Sequence, residues 1–161
     1  KDILDEGKAK ITDGIFLDKF EEYRDEKLYI KAFGSTDKGI SFYIEADGKK
    51  IFHAGDLNNW HWNEESTGEE IREAEAFFDT ELTALANEVK QLDLAMFPVD
   101  PRLGHDYMKG AEQFIDKIKT TIFAPMHFDT AYDKAAAFSE YARLRNCNCI
   151  CWTQRGEYIN F

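Results

Sequence analysis

What the sequence lacks narrows it first. No stretch approaches the ~18 consecutive apolar residues that a membrane-spanning helix needs, so the chain reads as a non-membrane protein. Positive charge is scarce, with 20 Lys and Arg against 31 Asp and Glu, a formal net charge of −11. That balance repels phosphate backbones and argues against nucleic-acid binding through bulk electrostatics. A local basic pocket for a small anion remains compatible with it. Cysteine is sparse and odd in number, three in all. That fits a reducing compartment better than a disulfide framework. The opening residues KDILDEGKAK are polar, unlike the apolar core of a secretory leader. The expected location is cytoplasmic. No linker and no internal repeat divides the 161 residues.

What is present is a chain able to form a core, with 43% apolar and 14% aromatic residues. ITDGIFLD (11–18) suggests a short strand pair around a turn. LYIKAF (28–33) and GISFYIEA (39–46) carry strand patterns, separated by Gly34-Ser35-Thr36-Asp37. Asp47-Gly48 is a hairpin signal leading into KKIFHAG. Residues 67–90 predict a helix, with Thr67 and Glu70 as a capping box. Ile71, Ala74, Phe78, Leu82, Leu85 and Val89 recur at three- and four-residue steps along it. LDLAMFPV (92–99) predicts a buried strand, 106–118 a helix, TTIFAP (120–125) a strand and 131–145 a helix. CICW (149–152) and EYINF (157–161) predict a closing hairpin. Antiparallel strands followed by strand–helix alternation predict one α/β domain with helices packed on a mixed sheet.

Two residues stand where such a domain builds sites. Asp56 follows a strand and a tight-turning glycine in IFHAGD, and His127 follows a strand in IFAPMH. Strand ends on one sheet edge converge, and a carboxylate with an imidazole suits a divalent metal such as zinc. A turn-capping Asp and a surface His are the alternative. Asn58, Trp60, His61 and Trp62 form a loop that either contacts substrate or packs as a lid. Arg102 either holds a substrate carboxylate or phosphate, or pairs with Asp100 to shape its own loop. His53 is expected to be structural. Cys147, Cys149 and Cys151 alternate, and buried free thiols are the expected reading, with soft-metal binding as the alternative.

HAGD (53–56), FPVDPRLG (97–104) and PMH (125–127) together resemble the second half of a metallo-β-lactamase-fold hydrolase, closest to its lactonase-like branch. The resemblance spans about residues 28–128. It implies the C-terminal half of an αββα sandwich, and a metal-activated water attacking an ester, lactone or phosphoester bond of a small substrate. It further implies one or two divalent ions, most simply zinc. In that family the Asp after the Gly bridges metals and the late His binds one of them, which assigns metal-ligand roles to Asp56 and His127. The family's His-x-His-x-Asp-His motif is absent: the four histidines are His53, His61, His105 and His127. Ser35 stands where a further ligand His is usual; either Asp37 substitutes as a ligand, or that metal position is weak or lost and Asp37 is a turn residue bonding its own backbone. The expectation is therefore an incomplete single domain over 1–161. Its open sheet face would be covered by the missing N-terminal half or by a homodimer partner. A binding module of the same fold that has lost its metal is the competing reading.

Overall fold

A computed structural model describes residues 14–161. One seven-stranded sheet runs in sequence order: β1 (Glu22–Arg24), β2 (Leu28–Phe33), β3 (Ser41–Ala46), β4 (Lys49–His53), β5 (Gln91–Pro98), β6 (Lys119–Met126) and β7 (Asn148–Cys149). The first four strands pair antiparallel and the last four parallel. The change of direction follows from the connections. Asp47 and Gly48, at φ 50° and 75°, close β3–β4 as a two-residue turn. The parallel pairs are instead joined through helices α1 (Gly68–Glu88), α2 (Lys109–Lys117) and α3 (Tyr132–Arg143). The expected α/β mixed sheet is therefore present. Among the described residues, no helix is long and apolar enough to cross a membrane.

The two sheet faces differ. Across the strands, Lys31, Tyr43, Phe52, Ala95, Phe123 and Cys149 form one row. Phe52, Ala95, Phe123 and nearby Phe97 are fully buried. The helices cover this face: Phe114 of α2 stacks on Phe52 at 5.5 Å, Phe138 of α3 lies 4.5 Å from Phe123, and Phe78 of α1 meets Phe97 edge-on. The opposite face carries Ile30, Ile44, Ile51, Leu94 and Ile122 in one register row. Leu94 is 7% exposed, and the four isoleucines keep partial solvent contact. His53 belongs to this second face, between Phe42 and Met96, and its Nδ1 accepts the Gly55 N–H.

The Thr67–Glu70 capping box forms as expected. The strands expected from 28 to 125 and the three expected helices are present with shifted ends. One helix starts late: Asp100 caps a 3-10 turn at Pro101–Asp106, and Gly104 at φ 78° interrupts it, so α2 begins only at Lys109. The closing hairpin is not formed. After Cys149 the chain leaves the sheet, because the Glu157 carboxylate accepts both N–H and O–H of Thr153 and closes a local loop. β1 was not expected; its three residues are too few and too charged to show alternation. Of the strand pair expected at 11–18, residues 11–13 lie outside the described part, and 14–18 form no strand.

Cys147 and Cys149 are buried and Cys151 is exposed, so the three thiols do not share one buried face. Burial pushes the thiols of Cys147 and Cys149 up to about 11 and about 12, which disfavours the thiolate that a soft metal requires. Thiol labelling of the native protein at pH 8 is expected to modify Cys151 rapidly, with Cys147 and Cys149 reacting only as the chain unfolds. Phe97 sits between Phe78, Phe114 and Phe123. Phe97→Ala is expected to cost about 3–5 kcal/mol, read from urea denaturation.

Candidate metal centre

β4, β5 and β6 run parallel, so their carboxyl ends open onto the same sheet edge. Hydrogen bonds beyond the strands keep those ends aligned: Ala54 N–H donates to Met96 O, and Val99 N–H to Met126 O, both at 2.9 Å. Each strand then releases one ionisable side chain: Asp56 after β4, Asp100 after β5 and His127 after β6. Gly55 makes the first turn possible. It lies at φ 56°, where an added Cβ would come 2.7 Å from the carbonyl oxygen of Ile40. His127 adopts the left-handed backbone, φ 63°. That conformation costs a non-glycine residue of order 1–3 kcal/mol, and such residues cluster at functional sites.

The side chains meet. His127 Nε2 lies 3.2 Å from Asp56 Oδ1, with the two side chains 28% and 32% exposed. On the other side of the ring, Nδ1 is 3.9 Å from Asp100 Oδ2, a carboxylate with no solvent exposure. Asp100 also accepts from the backbone N–H of Arg102 at 3.0 Å and from its Nε at 2.9 and 3.0 Å, and it pairs with Nη2. Arg102 is 69% exposed. Its hydrogen bonds to Asp100 raise its already high pKa. Asp100, Arg102, His127, Phe128 and Thr130 line an open cavity of about 620 Å³.

The loop after Asp56 is mostly buried. Asn58, Asn59 and His61 have at most 1% exposure. Asn58 N–H donates to Thr36 Oγ1, which in turn donates to Asn58 O, docking the Gly34–Lys38 turn beside Asp56. Asn59 donates to Gln113 of α2. His61 uses both nitrogens, Nδ1 toward Asn63 N–H and Nε2 toward Asp106 O. These groups anchor the loop. The two tryptophans remain at its surface: Trp60 stacks on Trp62 at 6.1 Å, donates to Asp56 O, and sits 6.0 Å from the His127 ring. Asp37 is exposed in the docked turn, where its N–H approaches Ser35 Oγ.

Imidazole and carboxylate are donor types that a divalent ion accepts. At zinc–ligand lengths of about 2.0–2.2 Å, two tetrahedral ligand atoms lie about 3.3 Å apart, close to the His127–Asp56 separation. The set is short, however. Among the described residues no group of three or more His, Cys, Asp or Glu side chains is gathered to hold a metal. The structure thus brings together Asp56, His127, Asp100 and Arg102, with Trp60 alongside. It keeps Asn58 and His61 inside the loop, and Asp37 outside any three-ligand group. Two contributors were not singled out from sequence: Thr36, whose docking role has no local signature, and Asp100 as a neighbour of His127. Asp100 had a readable signal, since it follows a strand as Asp56 and His127 do.

No family model and no curated protein matches the sequence. Among solved structures, a metal-dependent hydrolase from Parabacteroides distasonis aligns over 95% of this chain and 61% of its own, at 13% identity and TM-score 0.60. CmlA, a diiron β-hydroxylase from Streptomyces venezuelae, aligns over 86% of this chain and 33% of its own, at 11% identity and TM-score 0.56. A Zn-dependent hydrolase of the metallo-β-lactamase superfamily from Thermotoga maritima is 23% identical over 80% of this chain and 57% of its own, at TM-score 0.48. The chain therefore spans less than two thirds of each of these proteins. The first two likenesses show a shared α/β fold.

The buried loop has a checkable consequence. Asn58 Oδ1 lies 1.9 Å from where a Cβ on Gly110 of α2 would sit, and Asn59 N lies 2.9 Å from that point. Gly110→Ala is expected to destabilise the protein by about 1–3 kcal/mol, outweighing the helix preference of Ala. The readout is a lower thermal midpoint with altered Trp60 fluorescence.

Proposed function

We propose that this chain contributes part of the metal centre of a metal-dependent hydrolase with the metallo-β-lactamase fold. The observation that carries the reading is the convergence of Asp56 and His127, from two separate strand ends, at 3.2 Å. Asp56 and His127 would hold a divalent ion, zinc in the first instance. When bound, such an ion would lower the pKa of a water to about 7 and would polarise a carbonyl or phosphoryl oxygen. The chain's own residues supply the surroundings. Arg102, fixed at the cavity rim by Asp100, offers its remaining guanidinium N–H groups to a substrate carboxylate or phosphate. Trp60 and Trp62 form an apolar wall beside the ring of His127. The substrate class is a small ester, lactone or phosphoester with an anionic group. Free thiols favour a cytoplasmic setting. The half-covered isoleucine row is the surface against which a second layer of the sandwich, from the same protein, would pack.

The competing reading, a binding module without metal, draws on one observation: two ligands are gathered where a stable zinc site takes three protein ligands plus water. The two readings separate by metal affinity. Equilibrium dialysis against zinc is expected to give weak binding by this chain, reduced at least tenfold by His127→Ala or Asp56→Ala. Affinity unchanged by both substitutions would exclude the site. Ser35→His adds an imidazole on the turn that Thr36 docks beside Asp56, and is expected to tighten zinc binding by tenfold or more in the same assay. No gain would show that position 35 lies off the metal.

A further inference from the structure

We propose a second small-molecule pocket on this chain, in which a neutral heteroaromatic ring carrying N–H donors stacks between Trp152 and the Phe128–Tyr132 pair. The loop after β6 borders two openings. Phe128 and Asp129 line the cavity of about 620 Å³ beside Arg102, and they also line a further cavity of about 270 Å³ with Tyr132, Trp152, Gln154 and Arg155. Cavities that hold a whole drug-sized ligand run from about 300 to 1,000 Å³, so the further one is sized for a single ring system. None of its lining residues is a proposed metal ligand, and binding there needs no metal.

Three half-buried aromatic side chains border the cavity. Phe128 and Tyr132, four residues apart, meet edge to face with ring centres 5.5 Å apart. The left-handed backbone of His127 and Asp129, at φ 63° and 48°, brackets Phe128. Strain of this kind persists only where the surrounding structure holds it. Trp152 comes from a separate part of the chain, and its indole N–H donates to the Pro125 carbonyl at 3.3 Å. The turn after it is closed by Glu157, whose carboxylate accepts the N–H and O–H of Thr153 at 2.8 and 2.6 Å. Among the described residues, Trp152 makes no ring contact with Phe128 or Tyr132, although all three line one opening. Aromatic side chains that served only to shield a core would close on one another. These leave a gap between aromatic groups, the setting in which a flat ring stacks.

The rim selects the kind of ring. Asp129, Gln154 and Arg155 are exposed, and Glu157 also lines the opening. An aryl carboxylate or phosphate would meet the like charges of Asp129 and Glu157, and an aryl cation would meet Arg155. A neutral ring avoids both costs. Its N–H groups have acceptors in the Asp129 carboxylate and the Gln154 amide oxygen.

Adenosine is the probe, titrated calorimetrically into the chain in the presence of chelator, so the result is read separately from any metal binding. A dissociation constant of about 1 mM or tighter is expected. Trp152→Ala is expected to weaken it about tenfold or more, and Trp152→Phe, which keeps a flat face, by less than about threefold. Gln154→Ala is expected to weaken it about three- to tenfold. Benzoate is expected to bind at least about tenfold more weakly than adenosine. No detectable adenosine binding, affinity unchanged by Trp152→Ala, or benzoate bound as tightly as adenosine would overturn the proposal. Should Trp152→Ala fail to fold, chemical shifts of the wild-type protein decide instead. Adenosine-induced shifts at the Trp152 indole N–H and the Phe128 and Tyr132 rings support the pocket, and shifts confined to other residues contradict it.

Discussion

The parallel alignment of three strand ends is the constraint on which the rest depends. Two backbone hydrogen bonds past the regular ladder, Ala54 to Met96 and Val99 to Met126, hold β4, β5 and β6 level at their carboxyl edge. A loop leaving each strand at that level then places one ionisable side chain beside the others. The aromatic stack beneath, from Phe52 through Phe114 and Phe97 to Phe123 and Phe138, fixes the strands against the helices. Packing of that density transmits small displacements. The distance between Asp56 and His127 is accordingly a property of the core as much as of the loops.

Charge is distributed in layers around that edge. Asp56 and His127 are partly exposed, Asp100 is buried behind the ring, and Arg102 returns to solvent at the rim. The chain as a whole is strongly acidic, and at the cavity the Arg102 guanidinium is paired with the buried Asp100 carboxylate, with Asp129 lining the same opening. The loop carrying Trp60 is tied down by Thr36, Gln113 and the Asp106 carbonyl. It therefore presents its aromatic faces as a fixed wall.

Much of this was legible in the residues. The Thr67–Glu70 box, the apolar spacing of α1 and the Asp47-Gly48 turn each have a local cause, and each is present as read. Asp56 and His127 were legible because a polar residue directly after an apolar strand run marks a sheet edge. Other features depend on contacts distant in sequence. Asn58 and His61 look like surface chemistry until α2 and the Asp106 carbonyl close over them. The expected terminal hairpin loses to a Thr153–Glu157 turn, a side-chain competition that alternation of apolar residues does not report. The seating of Asp100 behind a ring 27 positions away along the chain is a tertiary fact.

The central claim is that the Asp56–His127 gap is one edge of a metal site. Crystals of the protein soaked in zinc, with diffraction measured on both sides of the zinc absorption edge, test it most directly. An anomalous peak is expected about 2.0–2.2 Å from both His127 Nε2 and Asp56 Oδ1. A direct hydrogen bond between Nε2 and Oδ1 with no anomalous peak there, or a peak located elsewhere, would contradict it.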